Sequence, residues 1–388
     1  MKKTFTLFFL AIMALGLNAQ TMKTINWDGQ ERQYLEYVPS TYTAEQAAPV
    51  LFMLHGMGDD MNNFFQATLI RNVAEEQGWI IICPQALDFT YSIPGLGSQD
   101  FGACWNVGST IAVDFTSIGF PISFDVVVNE NVDDEGFLMA ALEATKAEYN
   151  VDQSKIFFAG FSLGGFMSHR MAIQHGDVIN SIAAVSGVIG NDLTTLTPVD
   201  NVNVLQIFGT NDEMITYDDA MISLQTLGYY NLGMPVEETV EYWRAFNQCD
   251  EAPIVEQYPD THNDGLTFEM YRYLNGNNDS RVAFIKVYNG IHTWYSGYNH
   301  DIDYNTEIVN FFNNTIDVNG VVETTSNTLT VYPNPANDVI NVDKTVQIYD
   351  LCGKLVMKGS GKIDVSALSE GMYFVKSEND CSKLIINR

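Results

Sequence analysis

The sequence predicts an α/β fold, a mostly parallel sheet flanked by helices, followed by a small β-sandwich. Three observations lead there. Apolar runs of strand length at 49–54, 79–83, 155–158, 181–185 and 204–208 carry few polar residues, the pattern of strands buried on both faces. Stretches of helical period at 67–77 and 134–149 fall between them, so strands and helices alternate along the chain. After residue 328 the character changes to short alternating strands punctuated by Gly, Pro and Asn, with no helical stretch.

In chain order, Met1-Lys2-Lys3, the apolar run 4–17 and Asn18-Ala19-Gln20 read as a secretory signal peptide over 1–19, which is set aside from the fold. About 14 apolar positions are too few to span a bilayer, and no later run is longer, so no transmembrane segment is expected. The mature chain opens with strand-like residues at 34–38. The buried strand 49–54 ends at His55-Gly56-Met57-Gly58-Asp59-Asp60. A helix over 67–77 is closed by Gly78, and the strand 79–83 is stopped by Pro84. Between 88 and 131 the sequence is irregular and rich in Gly, Ser, Asn and aromatics, among them Phe89, Tyr91, Phe101, Trp105 and Phe115. A structureless stretch of that length is uncommon unless it carries function. Two accounts stand: a substrate-binding cap with Trp105 as a contact, or aromatics that only pack the loop down. Phe137, Leu138, Ala141, Leu142 and Thr145 then recur at helical spacing and lead into the strand 155–158.

That strand runs into Gly160-Phe161-Ser162-Leu163-Gly164, and 167–172 reads as a helix. Gly-x-Ser-x-Gly between a strand and a helix is the pattern of a nucleophile elbow, a turn so tight that the positions flanking serine must lack side chains. A serine hydroxyl is a poor nucleophile until a histidine takes its proton, and that histidine needs an acid to hold its tautomer. In sheets of this type the groups come from loops beyond the carboxyl ends of the strands, in the order Ser, acid, His. The order sets aside His55, His169 and His175. His262 lies in a polar turn and His300 just before a helix. His292 follows the strand 282–288 directly and is the candidate base. Gly209-Thr210-Asn211-Asp212-Glu213 follows the strand 204–208, so Asp212 is the candidate acid; it can equally cap the turn, with Glu213, Asp218 and Asp219 as substitutes. The oxyanion of an acyl-transfer intermediate needs donors, for which the amides of Leu163 and Met57 are placed. Trp105 and Trp294 are the candidate substrate-binding side chains.

Composition bounds the alternatives. The net charge of −29, from 19 Lys and Arg against 48 Asp and Glu, repels phosphate backbones and excludes nucleic acid as a partner. Cys83, Cys104, Cys249, Cys352 and Cys381 are too scattered for a zinc cluster, although Cys352 and Cys381 can close a bridge within the tail. Neither a metal nor a cofactor is called for.

Six ordered motifs carry a resemblance: Leu54-His55-Gly56-Met57-Gly58, Cys104-Trp105-Asn106, Val132-Asp133-Asp134-Glu135-Gly136-Phe137, Gly160 to Gly165, Phe208-Gly209-Thr210-Asn211-Asp212 and Gly290-Ile291-His292-Thr293-Trp294. Over about residues 34–312 the chain is similar to secreted polyhydroxybutyrate depolymerase-like esterases, a group that includes feruloyl and acetyl-xylan esterases. The resemblance implies an α/β-hydrolase fold and a cofactor-free serine esterase with Ser162, Asp212 and His292 as its triad, acting on a small or polymeric ester. A peptidase of the same fold, or a non-catalytic exported binding protein on the same scaffold, are the other readings. The stretch from Tyr332-Pro333-Asn334-Pro335 to Ile385-Ile386-Asn387-Arg388 resembles the C-terminal sorting domain of the type IX secretion pathway of Bacteroidetes. That implies export to the cell surface or beyond, with the secretion machinery as partner. The expected organisation is a signal peptide at 1–19, a catalytic domain at 20–317, a linker at 318–328 and a sorting domain at 329–388.

Overall fold

The computed structural model describes residues 20–93, 97–114, 116, 123–223, 229–296, 299–314, 329, 331–350, 354–377 and 381–387. The expected signal peptide and linker, Phe115 and Cys352 lie outside the described residues, as does the side chain of Cys381. The chain divides into two compact units between Asp317 and Val318.

In the first unit the strands are β1 (Gln20–Trp27), β2 (Gln30–Tyr37), β3 (Ala48–Leu54), β4 (Ile80–Pro84), β5 (Leu87–Ile93), β6 (Gly97–Cys104), β7 (Thr110–Asp114), β8 (Ser123–Val127), β9 (Val151–Phe161), β10 (Ser181–Val185), β11 (Asn203–Gly209), β12 (Met221–Ser223), β13 (Tyr229–Asn231), β14 (Ile254–Gln257), β15 (Thr267–Tyr273) and β16 (Val282–Tyr288). The helices are α1 (Met61–Ala67), α2 (Ile70–Gln77), α3 (Asp134–Glu148), α4 (Leu163–His175), α5 (Val236–Asn247) and α6 (Tyr304–Phe312). One sheet organises them, in the order β1-β2-β4-β3-β9-β10-β11-β16-β15-β14. Its central members from β4 to β16 run parallel, while β1, β2, β15 and β14 add to the two edges antiparallel.

The central strands are apolar throughout because each buries both faces. Successive residues of a strand point to opposite sides. Phe158 therefore stacks on Phe52 at 4.4 Å in one core, whereas Phe157 lies 4.7 Å from Phe312 of α6 in the other. Each fully buried ring contributes about 1.5–3 kcal/mol of transfer free energy, and the two cores together hold the parallel strands rigid.

Two readings of the sequence are corrected. The helix expected at 67–77 is α2, which starts only at Ile70, and a further helix, α1, precedes it, the two separated at Thr68 and Leu69. Leu69 sits in the left-handed region at φ 57° and the Thr68 hydroxyl donates to Phe64 O, a break without the Gly or Pro that usually announces one. The stretch 88–131 is not structureless. It forms two antiparallel ribbons, β5–β6 and β7–β8, outside the main sheet.

The second unit contains β17 (Val331–Tyr332), β18 (Val339–Tyr349), β19 (Leu355–Asp364), β20 (Gly371–Lys376) and β21 (Cys381–Ile386), joined by antiparallel ladders around Ile340, Ile348, Val365, Val375 and Leu384. The strands expected separately at 339–342 and 346–349 are the single strand β18, interrupted by a bulge between Val342 and Val346 that bends the sheet on itself. Among the described residues no helix is long and apolar enough to cross a membrane.

Candidate active site

Ser162 stands between β9 and α4 at φ 55°, ψ −124°, a conformation that an L-residue adopts only when its surroundings impose it, at a cost of about 1–3 kcal/mol. Two glycines impose it here. A Cβ on Gly160 would lie 2.1 Å from Gly164 O, and one on Gly164 would lie 2.0 Å from Leu54 O. The Ser162 amide donates to Val185 O at 2.9 Å, and its carbonyl accepts from Gly165 and Phe166, so both sides of the turn are tied down. The residue is 9% exposed.

Asp212 follows β11 and is buried. Its Oδ1 accepts the amides of Met214 (2.9 Å) and Ile215 (2.8 Å), which leaves Oδ2 to accept from His292 Nδ1 at 2.7 Å. The Asp212 carboxylate thus holds the turn with one oxygen and His292 with the other. The loops that carry the two residues are laced together. Thr210 N donates to Val287 O, Asn211 N to Gly290 O, and Asn289 N to Thr210 Oγ1, each at 2.9 Å. Glu213 reaches the backbone amide of His292 at 3.3 Å rather than its ring, and Asp219 accepts from Thr216. The ring of Phe161, the neighbour of Ser162, lies 4.7 Å from the His292 ring, so His292 and Ser162 share one edge of the sheet. Among the described residues Ser162 Oγ and His292 make no direct hydrogen bond with each other.

The other five histidines are engaged elsewhere. His169 accepts from Trp243 and pairs with Gln206 in the core; His262 pairs with Asp301 and His300 with Asp264; His175 lies 3.8 Å from Glu135; His55 is bound to backbone on both nitrogens.

The loop after β3 passes directly beside the serine: a Cβ on Gly56 would be 3.2 Å from Ser162 Cβ. Gly58 N donates to Ala103 O and Asp59 N to Gly56 O, whereas the amides of Met57 and Leu163 have no acceptor among the described residues. Leu163 opens α4, so the partial positive charge of that helix N-terminus adds to its amide. Both side chains also wall an apolar pocket. The ribbons furnish most of the rest: Phe89, Tyr91 and Phe101 from β5–β6, Ile111, Val113, Phe124 and Val126 from β7–β8, Ile222 and Tyr230 from β12–β13. Phe89 stacks on Phe101 at 5.6 Å and Tyr91 on Phe124 at 5.8 Å.

Comparison with known proteins bears on the fold and on the C-terminal unit. Residues 49–220, which include Ser162 and Asp212, match the family model described as the alpha/beta hydrolase fold. The chain has the alpha/beta hydrolase fold. Residues 330–387 match the secretion system C-terminal sorting domain, which marks the chain for export to the cell surface or beyond. The hydrolase-fold unit is similar to feruloyl esterase B of Neurospora crassa, 27% identical over 47% of this chain and 54% of the relative. It is also similar to a bifunctional acetylxylan esterase/xylanase of Neocallimastix patriciarum, 24% identical over 50% of this chain and 24% of the relative. The chain thus spans about half the length, or less, of these curated relatives. Among solved structures, an acetyl xylan esterase from Aspergillus awamori aligns with a TM-score of 0.48 at 14% identity, covering 75% of this chain and 98% of that one.

Trp105 does not line the pocket. It is fully buried, and its Nε1 donates to His55 O at 2.9 Å. Trp294 is partly buried and lies edge-on to Phe64 (5.7 Å) and Tyr304 (6.3 Å), with its Nε1 unpartnered. Burial pushes the Tyr304 hydroxyl well up from its usual range, so it stays a neutral wall beneath the Asp212 loop. The pocket residues of β7–β8 escaped the sequence reading, although the inward alternation of Ile111 and Val113 was there to find. Cys83, Cys104 and Cys249 are buried and free.

Proposed function

We propose that the chain is an exported serine esterase that hydrolyses carboxylic esters through an acyl-enzyme on Ser162. The observation that carries this reading is the 2.7 Å hydrogen bond from His292 Nδ1 to Asp212 Oδ2 at the sheet edge where the strained elbow presents Ser162. The bond puts the hydrogen of a neutral His292 on Nδ1 and leaves Nε2 to take the serine proton. Ser162 Oγ attacks the ester carbonyl, the Leu163 and Met57 amides receive the oxyanion, and the alcohol leaves with the proton from His292. Water then releases the acid by the reverse route.

The acyl group lies against Met57 and Leu163 and extends into the pocket built by the ribbons. Its aromatic, apolar walls favour a hydroxycinnamoyl group such as feruloyl over acetyl or a short hydroxyalkanoate. The names of the relatives, feruloyl esterase and acetylxylan esterase, agree with plant polysaccharide esters as the substrate class. The C-terminal unit serves the type IX secretion machinery and takes no part in catalysis.

The test is release of product from methyl ferulate, p-nitrophenyl acetate and a peptide anilide by the mature protein and its Ser162→Ala variant. Ester turnover that vanishes in the variant, with ferulate preferred, is the expected result. Amide cleavage would transfer the reading to a peptidase, and turnover that survives Ser162→Ala would end it.

A further inference from the structure

The oxyanion reading of the Met57 amide raises the question of what aims it, and the inference below rests on that reading. His55 is wholly buried and both ring nitrogens are committed. The amide of Ala86 donates to Nε2 at 3.1 Å, so the ring hydrogen resides on Nδ1, which donates to Gly56 O at 2.7 Å. No nitrogen is left for a base or a ligand. Burial also pushes the imidazole pKa down. Trp105 lies against it, the two rings 5.1 Å apart, and its indole N–H binds the His55 carbonyl at 2.9 Å. One residue further on, Gly58 N is tied to Ala103 O. His55 O, Gly56 O and Gly58 N are therefore all fixed, and the Met57 N–H between them is the free donor.

A trans peptide is planar, with its C=O and N–H pointing in opposite directions. Holding Gly56 O against the His55 ring therefore turns the Met57 N–H away from that ring, toward the side on which Gly56 faces Ser162. A carbonyl that accepts a strong hydrogen bond also polarises its own amide and makes the N–H a better donor. We propose that Trp105 and His55 form a clamp that presets the Met57 oxyanion donor, as positioning residues with no substrate contact of their own.

The test uses the full chain and an alkyl fluorophosphonate, whose reaction depends on the oxyanion site and not on ester specificity. Ser162 Oγ bonds to phosphorus, the P–F bond breaks, the serine proton passes to His292 and fluoride leaves. Labelling rates, and kcat and KM on p-nitrophenyl acetate, are measured for His55→Leu, His55→Asn and Trp105→Phe beside the wild type, with melting temperatures as the fold control. Loss of one oxyanion donor costs roughly 100- to 1,000-fold, so His55→Leu is expected to slow labelling and kcat by roughly 100-fold while KM stays within about threefold. Asn at position 55 can present its Nδ2 to Gly56 O where Nδ1 was, and is expected to return to within about tenfold of wild type; Trp105→Phe, which keeps a ring and loses only the N–H, is expected to fall roughly tenfold.

Wild-type labelling rates in both His55→Leu and Trp105→Phe would overturn the clamp. So would an Asn variant no better than Leu with rates that track melting temperature, since that marks a purely structural role. If His55→Leu does not fold, the comparison of His55→Asn and Trp105→Phe with wild type decides alone. Absence of Ser162-dependent labelling in the wild type would instead remove the serine-hydrolase reading, and the clamp with it.

Discussion

Replacing Asp212 by asparagine should disable catalysis while leaving the fold in place, and the reason lies in the two oxygens of the carboxylate. Oδ1 receives two backbone amides, from Met214 and Ile215, and Oδ2 receives the His292 Nδ1 hydrogen. An asparagine must keep its single oxygen on the two amides, so its NH2 turns to face Nδ1. His292 then has to accept there, and its hydrogen moves to Nε2, the atom required to take the serine proton. Enforcing that tautomer lowers kcat about 10⁴-fold, equivalent to about 5.4 kcal/mol of barrier. Because the turn keeps both of its hydrogen bonds, the melting temperature should move little. The assay is steady-state hydrolysis of p-nitrophenyl acetate by Asp212→Asn, with Glu213→Gln as comparison. Glu213 touches only the backbone of His292, so that variant should stay within about tenfold of wild type. Asp212→Asn activity within about tenfold of wild type would refute the reasoning and point to another acid.

His169 is wholly buried, accepts from Trp243 and donates to Gln206, and burial pushes its pKa down to about 4. The stability it contributes is complete above its unfolded value near 6.5 and is lost as pH falls from there through about 4, by about 3 kcal/mol; the difference in urea midpoint between pH 7 and pH 4.5 should shrink in His169→Gln, and an unchanged difference would count against it. The Arg32 to Asp134 pair, 2.6 Å apart and buried, also receives the Asn106 amide, so Asp134→Ala strands a guanidinium in the core and should cost about 3–5 kcal/mol in chemical denaturation. Within the pocket, Val126→Phe should lower turnover of methyl ferulate at least about tenfold relative to p-nitrophenyl acetate by filling the acyl site; an unchanged ratio would move the acyl group elsewhere.

Much of this was legible in the sequence because the physical signals were strong. Val50 to Leu54 and Ile80 to Cys83 are continuous apolar runs since nothing polar survives between two helix layers. Gly160 and Gly164 announce the elbow because no side chain fits there. The ribbons were not legible. β5–β6 and β7–β8 pair only with each other and keep one side toward solvent, so their alternation is diluted by Gly, Ser and Asp. Trp105 shows a different limit: residue type reveals a large ring with one donor, but whether that donor meets a ligand or a carbonyl is decided by a loop 50 positions away. Thr267–Tyr273 carries a plain inward alternation of Phe268, Met270 and Arg272 that marks an antiparallel strand, next to the sheet edge, and was there to be read.

The division of labour between the main sheet and its three detached ribbons has an evolutionary consequence. Ser162, Asp212 and His292, the proposed nucleophile, acid and base, follow strands whose positions are fixed by neighbours on both sides, whereas nearly all the walls of the proposed acyl pocket belong to two-stranded appendages that hydrogen-bond mainly within themselves. Such appendages can be lengthened, exchanged or lost with little disturbance to the catalytic groups. The scaffold thus behaves like a tool holder with interchangeable bits, and divergence among its descendants should concentrate in residues 87–127 and 221–232 while the machinery beneath stays still.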